Sequence, residues 1–151
     1  MPQSLSCVHI HLVFSTKSRE AFLRDADIRQ EVHAYLGGVS KKLECLPVIV
    51  GGTEDHVHLL CRLARTISQA DWVKEIKRVS SLWIKQRDPA LTAFAWQGGC
   101  GAFSVSASAI EATRAYIATQ AEHHQKLTFQ DEYRAFLCKH NLEWDEQFVW
   151  E

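Results

Sequence analysis

Two histidines one residue apart, His56 and His58, lie in GGTEDHVHLLCRL (51–63). A second such pair, His9 and His11, lies in CVHIHLVFSTK (7–17). Imidazole suits divalent first-row cations, so either pair could hold one ion. On a β-strand successive side chains point to opposite faces. His56 and His58 would then share a face, with Val57 buried behind them. Thr53, Glu54 and Asp55 form a polar turn that keeps this end of the strand near solvent, where a substrate could reach the ion. The bland reading of any such pair is two polar positions on an open sheet face. A metal site generally wants a third ligand, so the pair gains meaning only if another element supplies one.

The stretch SAIEATRAYIATQAEHH (108–124) is where such a group could come from. Read as a helix, it can turn Ile110, Ile117 and Ala121 to the core. Tyr116 and Gln120 are four apart and stack along an adjacent face. A Gln carbonyl is a hard oxygen ligand, suited to Mg²⁺ or Mn²⁺ alongside imidazole. A tyrosine beside a bound cation can lose its phenolic proton near neutral pH and act as an oxygen nucleophile. Alternatively Tyr116 is a half-buried core residue, a description that fits Tyr35 and Tyr133 better because both sit at core spacing among aliphatic and aromatic residues.

The elements that must position these groups can be read from periodicity and punctuation. Residues 7–15 alternate loosely and are rich in β-branched and aromatic types, which predicts a strand. TKSREAFLR is a polar loop. Asp25 or Asp27 can cap a helix to about Glu44, with Ile28, Val32, Tyr35, Leu36 and Val39 at core spacing and Gly37-Gly38 as a weak point. LPVIVGG (46–52) and EDHVHLLCRL (54–63) read as a hairpin. Ser68 caps a helix over 69–87, ended by Asp88-Pro89, with Val73, Ile76, Leu82 and Trp83 on one side. GAFSVS (101–106) is a fourth strand. Ser108 caps a helix to about His124, and another helix spans 128–140. An irregular tail follows, anchored by Trp144, Phe148 and Trp150. The order β-α-β-β-α-β predicts an α+β, ferredoxin-like antiparallel sheet with additional C-terminal helices.

At 151 residues the chain is one domain's worth, and its 46% apolar and 23% charged content is that of an ordinary globular protein. No apolar run approaches the roughly 18 residues of a membrane span. The N-terminus lacks a signal-peptide core. A cytoplasmic location and no membrane partner are therefore expected. Five cysteines without a C-x-x-C spacing read as reduced, mostly buried thiols. The net charge of −1 argues against a strongly basic nucleic-acid binder. The average hides an asymmetry: residues 1–90 hold 13 Lys/Arg and 10 Asp/Glu, net +3, whereas 91–151 hold 4 and 8, net −4. A basic surface could form on the first part only.

HVHLL on a strand, followed by a helix carrying YIATQ, resembles the HUH single-tyrosine transposases of the insertion-sequence-200 type, including REP-associated tyrosine transposases. The likeness spans most of the chain, so residues 1–151 read as a single transposase domain. HLVFSTKSR resembles the family's first strand and basic loop, KEIKRVSSLWI its second helix, FAWQGGCGAFSVS its fourth strand, and YIATQAEHHQKLTFQDEYRAFL its C-terminal helices. Two departures stand out: a cysteine, Cys100, where the family often has an aromatic, and the acidic second part.

The resemblance implies that His56, His58 and Gln120 ligate Mg²⁺ or Mn²⁺ and that Tyr116 is the nucleophile. It implies cleavage and rejoining of single-stranded DNA through a 5′-phosphotyrosine, leaving a free 3′ hydroxyl and needing no ATP. It also implies recognition of hairpins at the element's ends by a homodimer, with the tyrosine helix of one subunit acting in trans. Candidate DNA contacts are Lys17, Arg19, Lys74, Lys77, Arg78 and Lys85, each of which reads equally as a solvated charge. His123 and His124 follow Gln120 by three and four residues and could supplement it, or be exposed. His11 is expected near the site, orienting a ligand or touching DNA rather than serving as a primary ligand. Two other readings remain: a domesticated, non-cleaving nucleic-acid regulator, and a ferredoxin-like metal-binding module without nucleic acid.

Overall fold

The computed structural model describes residues 2–124 and 126–151. Four strands, β1 (His9–Ser15), β2 (Leu46–Gly52), β3 (His56–Arg62) and β4 (Gly101–Val105), form one sheet in the order β2-β3-β1-β4, every neighbouring pair antiparallel. Helix α1 (Ala26–Lys42) joins β1 to β2, and α2 (Gln69–Arg87) joins β3 to β4. Three further helices follow: α3 (Ile110–Ala118), α4 (Gln120–His123) and α5 (Phe129–Lys139). This is the expected ferredoxin-like order with C-terminal helices added.

Alternation along the strands builds two cores. Leu12 and Phe14 of β1 and Val57, Leu59 and Cys61 of β3 face α1 and α2. There they bury Val32, Leu36, Trp72 and Ile76. The opposite face carries His11, Val13, His56 and His58; the register sets Val13 opposite His58 and Ser15 opposite His56. That face is not open. α5 lies over it, packing Phe129, Tyr133 and Leu137 on Val13 and Phe103. Burying Phe129 and Leu137 contributes roughly 1.5–3 kcal/mol each, enough to hold a helix of this length on the sheet.

Side-chain caps start three of the helices. Asp25 accepts from the backbone N–H of Asp27 at 2.8 Å and Ile28 at 3.1 Å, Ser68 from Asp71 at 3.0 Å, and Thr128 from Asp131 at 3.2 Å. Two glycines let the elements approach. A Cβ on Gly51 would lie 2.9 Å from the Ile117 side chain and carbonyl oxygen, so glycine allows α3 to rest on β2. Gly52, at φ +152°, has its missing Cβ directed at the His56 carbonyl across the hairpin.

Several expectations are corrected. β1 begins at His9, not Cys7, and α1 ends at Lys42. Leu82 is 51% and Phe148 55% exposed, so neither anchors anything. Of the cysteines only Cys45 and Cys61 are buried; Cys7 and Cys138 are exposed, and all five are free thiols. The single helix expected over 108–124 is a 3₁₀ turn, Ala107–Ala109, then α3, a break at Thr119, then α4. Ser108 caps nothing; its hydroxyl lies 3.2 Å from that of Ser106. At the break the Thr119 hydroxyl donates back to the Ala115 carbonyl at 3.0 Å, a competing bond that bends helices. No helix among the described residues is long and apolar enough to cross a membrane.

Candidate active site

His56 and His58 emerge from β3 toward α3–α5, both fully buried. Each ring is held from behind. Nδ1 of His56 lies 2.7 Å from the Asp55 carboxylate and 2.9 Å from the Thr53 hydroxyl. Donating Nδ1–H to the carboxylate leaves a lone pair on Nε2, the carboxylate–histidine arrangement that orients metal ligands. Nδ1 of His58 lies 2.7 Å from Nε2 of His11, so one proton is shared between these rings. His11 is thus on the same face, steadying the His58 ring.

The two Nε2 atoms point at oxygens from the C-terminal helices. Nε2 of His56 is 3.1 Å from Gln120 Oε1 and 3.6 Å from Glu132 Oε1. Nε2 of His58 is 3.0 Å from the same Glu132 oxygen. Nε2 of His124 also approaches it, at 3.1 Å, yet is buried and makes no hydrogen bond among the described residues. One ligand atom each from His56, His58, His124 and Glu132 lies within 4.8 Å of all the others. The other Glu132 oxygen accepts a hydrogen bond from the Tyr116 phenol. The rings of Tyr116 and His58 are 6.0 Å apart.

The charges follow from this geometry. Burial pushes His58 down to about 4 despite the adjacent carboxylate, and burial, then His58, pushes His11 to about 3. Both are neutral imidazoles at neutral pH. Burial alone would raise Glu132, but His124, His58 and Tyr116 hold its carboxyl far below the usual carboxylate range. Burial, then the hydrogen bond and charge of Glu132, pushes the Tyr116 phenol well above its ordinary value, so it keeps its proton. Two neutral imidazoles, a buried carboxylate, an amide oxygen and an orphaned ring nitrogen facing one point are a donor set that fits a divalent cation.

The sheet and C-terminal helices bring together Tyr116, His56, His58 and Gln120. His123 instead stacks on the Tyr116 ring at 4.6 Å. Lys74, Lys77 and Arg78 line a cleft of about 680 Å³ between α2 and residues 95–100. Lys17 and Arg19 line an adjoining one. Lys77 donates to the carbonyls of Gln97 at 2.9 Å and Gly99 at 2.6 Å, and Arg78 pairs with Glu75 at 2.7 Å. Lys85 lines neither cleft. Glu132 was not foreseen, although a signal existed: with Phe129, Tyr133 and Phe136 it sits on the apolar stripe of α5.

Residues 4–120 match the family model described as transposase IS200 like. The chain belongs to the IS200-like transposase family. The match takes in His56, His58, Tyr116 and Gln120 and ends before His124 and Glu132. No curated protein sequence matches the chain. Among solved structures, one assigned as a transposase from Deinococcus radiodurans R1 aligns with a TM-score of 0.65 at 22% identity, covering 80% of this chain and 95% of that one. A REP-associated tyrosine transposase bound to a REP hairpin aligns with a TM-score of 0.60 at 12% identity, covering 84% of this chain and 74% of that one. At these identities the likeness is one of fold.

Proposed function

We propose that this transposase cleaves and rejoins single-stranded DNA at hairpin ends, with Tyr116 as nucleophile beside a divalent-cation site. The observation that carries this reading is the convergence, within one chain, of the Tyr116 phenol and the His56 and His58 imidazoles on a buried carboxylate. His56, His58 and Gln120 would hold Mg²⁺ or Mn²⁺, with Glu132 and His124 completing the set. When bound, the cation would supply Lewis-acid stabilisation of charge on the scissile phosphate.

The chain's own groups do the rest. Asp55 and His11 keep the two ring nitrogens aimed. Glu132 holds the phenolic hydrogen and fixes the direction of the oxygen. In the reaction the Tyr116 oxygen forms a bond to phosphorus, its proton passing to Glu132. The bond from phosphorus to the 3′ oxygen breaks, and that oxygen leaves as a hydroxyl, taking up the proton that Glu132 received. The phosphotyrosine conserves the bond's energy, so a second 3′ hydroxyl can reverse the step without a nucleotide cofactor. Lys17, Arg19, Lys74 and Arg78 are the proposed phosphate contacts; Lys77 and Lys85 are weaker candidates on their placement. The REP hairpin of the structural neighbour supports a hairpin substrate.

The test is to incubate the protein with Mn²⁺ and labelled single-stranded hairpins from the DNA flanking its gene. A denaturant-resistant adduct is expected for wild type and none for Tyr116→Phe, with hairpin binding equal in both. Wild-type binding that ignores EDTA and never yields an adduct would instead assign a non-cleaving regulator.

A further inference from the structure

A cavity of about 640 Å³ opens directly beside the Tyr116 phenol and runs between β4, α3 and α5 to Lys139 and His140. Tyr116, Glu132 and His11 form its wall toward the candidate site; the rest of its lining has no part in the chemistry above. Its volume is in the range of small-ligand sites, which run from roughly 300 to 1,000 Å³. We propose that it seats one unstacked base of the DNA strand, the base of a nucleotide flanking the phosphate at Tyr116. The proposal rests on the reading of Tyr116 as nucleophile and adds a recognition site to it.

Three features choose a base over other occupants. First, the cleft is lined by flat rings: Phe136 stacks on Phe103 at 5.3 Å and 22°, and His140 on Phe103 at 4.8 Å and 26°. A nucleobase adds naturally to such a stack, because every base has a π-face. Second, charge is graded along the cleft. Its inner end holds the Glu132 carboxylate and its rim holds Lys139, one of only four Lys/Arg in residues 91–151. With one phosphate of the nucleotide at Tyr116, Lys139 at the rim can receive its other phosphate, which leaves the base between them against the rings. Third, Thr113 and Ser106 also line the cleft and add polar side chains that suit the polar edge of a base. A pocket next to the nucleophile can receive a base adjoining the phosphate under attack.

The experiment uses the full chain in EDTA, so that no strand is cut, and two DNA hairpins. One is stem-only; the other carries a four-nucleotide single-stranded extension with 2-aminopurine next to the stem. The extension is expected to tighten wild-type binding about tenfold and to quench the 2-aminopurine fluorescence. Ala112→Trp, which fills the cleft from an exposed position on α3, and Phe136→Ala are each expected to reduce that gain to less than twofold and remove the quenching. Stem-only affinity should stay unchanged. A gain that survives Ala112→Trp, or no gain in wild type, overturns the proposal. The adduct assay with Mn²⁺ is read separately. An adduct with no effect of either variant on extension binding removes the base pocket and keeps the nucleophile. An extension gain that both variants abolish, without any adduct, keeps the pocket as that of a non-cleaving binder.

Discussion

Glu132 is 1% exposed, and a carboxylate that deep stays ionised only because three imidazoles and a phenol surround it. Removing one of its oxygens' negative charge while keeping its shape isolates its part in ion binding. Glu132→Gln is expected to weaken Mn²⁺ binding by roughly 10–100-fold, measured by calorimetry on the protein alone. An unchanged affinity would leave His56, His58 and Gln120 as the whole ligand set. Asp55 acts one step further out, through the His56 ring, so Asp55→Ala is expected to weaken Mn²⁺ binding less than Glu132→Gln does, in the same titration. The shared strand face of the histidine pair could be read from its spacing, and its candidate role as ligands from the resemblance to the family. The carboxylate between them could not, because Glu132 lies 74 residues beyond His58 in the chain.

The elements act through close approach. α3 can lie on β2 only because Gly51 has no side chain where Ile117 sits. Gly51→Ala is expected to destabilise the fold by about 1–3 kcal/mol, seen as a lower midpoint in urea. It should also reduce adduct yield, since α3 carries Tyr116. α1 contributes a pH dependence of its own. His33 has a buried Nε2 with no hydrogen-bond partner among the described residues. Burial, then Arg29, His56 and His58, pushes it from its ordinary 6.5 down to about 4. Between those values the unfolded chain takes up a proton that the folded chain refuses. The stability His33 confers as a neutral ring is therefore complete above pH 6.5 and is lost as pH falls toward 4. His33→Leu should flatten the stability profile across that window by about 1–3 kcal/mol, read from urea midpoints at a series of pH values. The break between α3 and α4 was invisible to periodicity, since Thr119 sits in an otherwise regular pattern. Its hydroxyl's bond to Ala115 is local, but its effect is felt only where both halves pack.

At the scale of the molecule the sheet separates two tasks. One face, under α1 and α2, is a conventional apolar core; the other, under α3–α5, carries the candidate site. The basic clefts open at α2 and at the loop after β1, where Lys17 and Arg19 stand. All the groups of the candidate site come from one chain here, whereas the family resemblance implies exchange of the tyrosine helix between subunits. Mixing Tyr116→Phe with His56→Ala protein decides between them. A same-chain site gives no adduct from the mixture, and an exchanged site restores it, as read on a denaturing gel.

The sequence by itself determined the strand and helix order, two helix caps, the shared face of His56 and His58, and the motif that places Tyr116 and Gln120 in one family. These are local matters of periodicity, capping and spacing, settled within a few residues. Only the tertiary structure decided that α5 covers the histidine face, that Glu132 and His124 join the cluster, that His11 shares a proton with His58, and that a cleft opens beside the phenol. Each of these depends on which surfaces meet when distant elements pack, and apolar stripes direct that packing without recording which polar groups they carry along.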